Sequence, residues 1–214
     1  MLEQADAIDA LVAEFVSGTL PTPLQVLLAS HLEMNASNRG WVANLEALAG
    51  IELSGIDPEP LADRNAMLER IMASSREGRP FVEASEKYPT PDMLQRFIGM
   101  PLSQVSWKRN RFAGIDEVKL GEIDGCKASL YRFPAGKGVP LHTHEGIEMT
   151  LVLQGGFSDE TGHYVKGQIS VADGTVSHRP VADDDEECIC FSVTDAPIRL
   201  TGPLGRFISP FLRT

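Results

Sequence analysis

The stretch Gly136-Lys-Gly-Val-Pro-Leu-His142-Thr-His144-Glu145-Gly-Ile-Glu148-Met-Thr-Leu-Val-Leu-Gln-Gly155 decides how this 214-residue chain is read. Side chains two apart on a strand share a face, so His142 and His144 aim at one point. Glu148 keeps the same parity and opens an apolar run that reads as a strand, Ile147 to Gln154. A tight turn around Gly146 would bring its carboxylate back beside the two imidazoles. Two neutral imidazoles and one carboxylate suit a divalent transition ion, offering borderline donors and partial neutralisation of its charge. Glu145, next to this set, reads either as a solvated turn residue or as a group supporting the site.

Around this segment the chain has the texture of strands. Ser103 to Lys108, Val118 to Leu120, Lys127 to Phe133, Gln168 to Val171 and Cys188 to Val193 are short runs rich in β-formers. Asp124-Gly125, Pro134-Ala135-Gly136, Gly155-Gly156 and Asp173-Gly174 punctuate them as turns. Many short strands at close spacing predict a sandwich or a barrel. The acidic run Asp183 to Glu187 reads as a solvated loop, and His163 as a surface residue in a turn before Tyr164. Cys188 and Cys190 face the same way on one strand. They are either a pair of small buried residues or oxidisable groups near a metal. At i and i+2 they are poorly placed for a mutual disulfide. Cys126 has no visible partner and reads as structural.

The first 76 residues read as helices. Ile8, Leu11, Val12, Phe15 and Val16 make one apolar stripe, with Gly18 as its stop. A second helix is expected from Thr22, acting as cap, to about Met34, and a third over Ser37 to Ala49 with Trp41, Val42, Leu45 and Leu48 on one face. A fourth is expected over Asp63 to Ser75. Helices this short must pack on one another or on a partner. The expected organisation is therefore α+β in two domains. A helical domain spans residues 1–76, a polar, turn-rich linker residues 77–91, and a strand-rich domain residues 92–214. Residues 1–80 hold 12 acidic and 5 basic side chains, net −7, out of a chain total of −11. Such a surface repels phosphate, which argues against direct binding to nucleic acid and for a basic protein partner. No signal peptide and no apolar run of membrane-spanning length is visible, and three cysteines do not form a disulfide framework. The expected compartment is a reducing cytoplasm.

Gly136, His142, His144, Glu148 and Gly155 match the first cupin motif, G-x5-H-x-H-x3-E-x6-G, at every fixed position. The second cupin motif places a histidine eleven residues after its opening glycine, and Gly167 and His178 keep that separation. Asp173, Thr175 and Ala182 depart from its usual proline, glycine and asparagine. The resemblance implies a double-stranded β-helix barrel holding one divalent metal on His142, His144, Glu148 and His178. Zinc is placed first, ahead of iron, nickel or manganese. Over nearly its full length the chain also resembles the ChrR-type anti-sigma factors. The matching segments are Ser17-Gly18-Thr19-Leu20, Ser30-His31-Leu32, Glu148 to Gly155, Cys188-Ile-Cys190 and Thr194-Asp195-Ala196-Pro197. That resemblance implies a helical domain that sequesters an extracytoplasmic-function (ECF) sigma factor. It also implies a cupin domain needed for its release under oxidative challenge, singlet oxygen in particular. The family's helical domain carries a zinc site. Here only His31 of that pattern remains, with Asp6, Asn35 and Asn38 at the other positions, so this second site is expected to be empty. Asn35 and Asn38 are suited to capping the helix ends instead. A cupin-type metal-dependent dioxygenase is the alternative function.

Overall fold

The strand Cys188–Thr194 is buried through its first six residues, so neither of its faces meets water. Its odd-numbered side chains, Ile189, Phe191 and Val193, enter one apolar cluster, and Cys188 and Cys190 enter another. The fold follows from covering that strand on both sides. The computed structural model describes residues 4–74, 90–110 and 114–200 of the chain.

Strands β1 (Lys108–Asn110), β2 (Ile115–Ile123), β3 (Cys126–Phe133), β5 (Glu148–Gln154), β8 (Ile169–Ala172) and β10 (Cys188–Thr194) form a six-stranded antiparallel sheet in the order β1-β2-β3-β10-β5-β8. A three-stranded sheet, β6 (Gly156–Asp159), β7 (Gly162–Val165) and β9 (Val181–Ala182), runs β7-β6-β9. A pair made of β4 (His142–His144) and β11 (Ile198–Leu200) completes the strand-rich part. Ile115, Phe133, Val152, Phe157, Tyr164 and Ala182 fill the space between the sheets, together with the two cysteines. This is the expected cupin-like barrel. The motif glycine Gly155 turns the chain between β5 and β6 at φ +67°, and a Cβ there would stand 2.5 Å from the Glu187 carbonyl oxygen.

Helices α1 (Gln4–Ser17), α2 (Thr22–Met34) and α5 (Asp92–Ile98) cover the other face of the large sheet. Leu11, Val12, Val26, Leu27, Leu28 and Leu94 share one core with Ala128, Leu130, Leu151 and Phe191. Helix α2 is pinned to the strand-rich part at two points and to α5 at a third. Thr22 donates its backbone N–H and its hydroxyl to Asp124 Oδ2, at 3.1 and 2.6 Å. His31 Nδ1 donates to the Gly167 carbonyl at 2.7 Å. The Glu33 carboxylate accepts the first backbone N–H groups of α5, from Asp92 and Met93, at 2.6 and 3.0 Å.

Several expectations are corrected. Thr22 does not cap α2; the N-cap position is Pro21, because the Thr22 hydroxyl is drawn to Asp124. The expected strand Ser103–Lys108 reduces to its last residue, where β1 begins; a short 3-10 turn at Leu102–Gln104 precedes it and buries Leu102. His163 lies on β7, exposed and paired with Asp183. The N-terminal helices are present as expected, and α1 and α2 share their core with the sheet. Helix α3 (Arg39–Ser54) buries only Val42, and α4 (Arg64–Ala73) buries no side chain. Trp41 and Leu48, expected to face inward, are exposed. The expected linker falls almost wholly on residues 75–89, outside the described residues. No single helix among the described residues is long and apolar enough to cross a membrane. Ala7–Ser17 and Thr22–Met34 pass only as a pair bent by 109°.

The shared core predicts an asymmetric response to truncation. Leu27→Ala, 1% exposed, costs about 3 kcal/mol in urea unfolding. Met72→Ala on α4, 77% exposed, stays within about 0.5 kcal/mol. Equal effects would contradict this placement of α2.

Candidate metal centre

Strand β4 is only three residues long, and its period of two puts His142 and His144 on one face while Thr143 faces away. The backbone then turns through Gly146, and Glu148 enters at the head of β5. His178 arrives from the far end of the sequence by pairing with His142. The two residues exchange backbone hydrogen bonds at 3.0 and 2.9 Å. The four side chains offer ligand atoms that all lie within 4.8 Å of one another. His144 Nε2 is 3.0 Å from His178 Nε2 and 3.3 Å from Glu148 Oε2. All three imidazoles are buried.

Three of the four groups are held from behind by their second polar atom. His142 Nδ1 donates to the Pro140 carbonyl at 2.9 Å, and His178 Nδ1 donates to Asp159 Oδ2 at 2.9 Å. Those acceptors place the proton on Nδ1, so both Nε2 atoms present lone pairs to the centre. Glu148 Oε1 accepts from the Ser192 hydroxyl at 2.9 Å, which leaves Oε2 facing the imidazoles. His144 Nδ1 is buried with no hydrogen-bond partner among the described residues. Three acceptors therefore converge with only the His144 proton to share among them. What the arrangement lacks is positive charge, and this donor set can hold a divalent cation.

The electrostatics agree. Burial lowers His142 to about 4, so its imidazole is neutral and available at pH 7. Burial alone would raise Glu148, but the His144 hydrogen bond and the surrounding imidazoles reverse the sign and keep it a carboxylate. Asp159 is also held low against its own burial, mainly by His178 and by Thr161.

The four motif residues are thus brought together. Cys188 and Cys190 face the barrel interior with Ser192, their Sγ atoms 3.4 Å apart. The Cys188 contact, burial and the Glu148 charge push Cys190 well above the ordinary thiol value. Glu145 sits outside the cluster, 3.5 Å from Arg199. The remnant N-terminal set is dispersed in role. His31 bonds the Gly167 carbonyl, while Asn35 Oδ1 accepts from Ser37 N–H and Asn38 Oδ1 from the Ser37 hydroxyl. Both asparagines hold cap positions as expected: Asn35 is the C-cap of α2, its backbone N–H donating to the His31 carbonyl, and Asn38 is the N-cap of α3, though its side-chain oxygen accepts from Ser37 and makes no cap bond. Asp6 lies within α1, and its side chain is outside the described residues. Sequence reasoning missed Asp159 and Ser192. Asp159 opens a turn, Asp-Glu-Thr-Gly, and Asp159 Oδ1 also accepts from the Thr161 and Gly162 N–H groups, so only the turn was legible.

A depressed histidine pKa makes the metal-free fold acid-sensitive. Between the unfolded value near 6.5 and about 4, the unfolded chain binds the proton that folded His142 refuses. Stability is full above pH 6.5 and falls as pH drops to 4, by about 3 kcal/mol from this residue. His142→Gln in metal-free protein should flatten that part of the unfolding profile; an unchanged profile would contradict the assignment.

Residues 96–197 match the model of the ChrR cupin-like domain. The chain is 32% identical over 207 residues to the anti-sigma-E factor ChrR of Cereibacter sphaeroides, covering 96% of both sequences. It is also similar to a chain in the crystal structure of Rhodobacter sphaeroides SigE in complex with the anti-sigma ChrR. That match has 32% identity and a TM-score of 0.70, and covers 87% of this chain and 96% of the other. With helices ahead of a cupin-like barrel and this likeness along almost its whole length, the chain belongs to the ChrR family of anti-sigma factors.

Proposed function

We propose that this protein is a cytoplasmic anti-sigma factor. Its helical part, residues 1–76, sequesters an ECF sigma factor, and its cupin part, residues 92–214, governs release under oxidative stress. One observation carries the reading: α3 and α4 turn a row of large apolar side chains to solvent. Leu48, Ile51, Leu53, Leu68, Ile71 and Met72 are exposed, Ile71 at 62% and Met72 at 77%. An apolar surface of this extent marks a protein-binding face. The net charge of −7 over residues 1–80 suits a basic partner such as a DNA-binding protein. The likeness to a chain found in complex with SigE supports the choice of partner class.

In the barrel, His142, His144, Glu148 and His178 are the residues that would hold the metal, zinc first. The ion would supply the positive charge that their converging acceptors lack. Asp159 and Ser192 orient two of them. Cys188 and Cys190 are the candidate oxidant-responsive groups, although Cys190 is held as a neutral thiol, the less reactive form. We favour a regulator over an oxygenase because the exposed helices have no task in an enzyme of this size.

The test is co-purification with an ECF sigma factor from the protein's own cell extract under reducing conditions. The wild-type chain should carry one metal ion and retain the sigma factor. The paired change Leu68→Asp and Ile71→Asp should weaken the complex at least 100-fold, with unfolding stability and metal content unchanged. Failure to retain any sigma factor, or two metal ions per chain, would contradict the reading.

A further inference from the structure

Helix α1 does not lie flush on the sheet. Beside its buried stripe it carries the small side chains Ala7 and Ala10, which border a cleft of about 670 Å³ between the helix and the sheet it covers. That volume falls in the range of small-molecule sites, roughly 300–1,000 Å³. The walls are apolar: Leu11 from the helix, with Met149, Val171, Val193 and the Cys126 thiol from the sheet. Burial, helped by Asp195 and Asp124, pushes the Cys126 thiol up, so it contributes a neutral surface.

The charged side chains of the described lining are carboxylates. Glu14, Glu160, Asp173 and Asp195 border the cleft, and among the described residues no lysine, arginine or histidine does. Three of these carboxylates are fixed in place by one oxygen. Asp195 Oδ1 accepts the Ile147 N–H at 2.7 Å, Asp173 Oδ1 accepts the Thr175 N–H at 2.8 Å, and Glu160 Oε2 accepts the Arg179 N–H at 2.7 Å. An apolar slot edged by positioned carboxylates repels anions and favours a cation that carries its own hydrocarbon.

We propose that the cleft between α1 and the sheet binds a small amphiphilic cation, with an apolar chain or ring on the walls and an ammonium head at the carboxylate rim. The site is separate from the metal centre but adjoins its supports. Thr161 and Ser177 line the cleft, and they are close chain neighbours of Asp159 and His178. A bound molecule would therefore touch both the helical layer and the segments that position the fourth ligand of the metal centre.

Calorimetric titration of the full-length, metal-loaded protein with octylamine, octanoate and octanol tests this, since the three share one chain and differ in head group. Octylammonium should bind at one per chain, at least tenfold more tightly than octanoate. Ala10→Phe, which fills the cleft from α1, should abolish that binding with circular dichroism and metal content unchanged. Asp195→Asn keeps the oxygen that holds Ile147; it should weaken octylammonium at least threefold and leave octanol unaffected. No binding of octylammonium, equal binding of octanoate, or full binding to a correctly folded Ala10→Phe protein would overturn the proposal.

Discussion

A strand that is apolar on both faces has to be covered twice, and the rest of the molecule answers that constraint. Ile189, Phe191 and Val193 of β10 demand helices on one side, while Cys188 and Cys190 demand a second sheet on the other. The N-terminal helices and the metal centre are thereby built on opposite sides of the same few residues. Burying a side chain of the size of Phe191 contributes on the order of 2 kcal/mol. The helix–sheet contact is consequently part of the folded core and not a loose tether.

The same economy appears at the metal centre. Three of the four ligand side chains spend one polar atom on a support and leave the other for the centre. Pro140 sets the His142 proton, Asp159 that of His178, and Ser192 orients Glu148. Ser192 lies on β10, two residues from Cys190, so the strand that supports the helical layer also positions a ligand. Interiors at this density do not deform continuously, and a change in the centre has a short packed route to α2. Helix α2 in turn is pinned by Asp124, Gly167 and Glu33 contacts that hold few atoms each. Helices α3 and α4 beyond it carry the exposed apolar surface.

Much of this was legible in the sequence because it is written in local periods. The histidine pair needs only the period of two, and the glycine at position 155 needs only a turn that no Cβ can occupy. His178 was legible through its separation from Gly167, which sets the reach from one strand end to the next. What escaped depends on tertiary neighbours. Thr22 looks like a cap until Asp124, about a hundred residues away, takes its hydroxyl. Asp159 looks like a turn residue until His178 is folded against it. Helices α3 and α4 have apolar residues at helical spacing, and the period alone does not say whether the covering surface belongs to the same chain. His31 shows how a single position changes its role. Without thiols at positions 35 and 38, its imidazole serves the contact with the Gly167 carbonyl.

The central claim is that the state of the barrel governs the grip of the helices. The most direct measurement is the ratio of sigma-factor dissociation constants for the metal-loaded and the metal-stripped protein, with folding of both checked independently. Coupling between sites in a protein of this kind is typically 5- to 150-fold. A ratio at least at the lower end of that range is expected. A ratio of one, with both forms folded and binding, would contradict it.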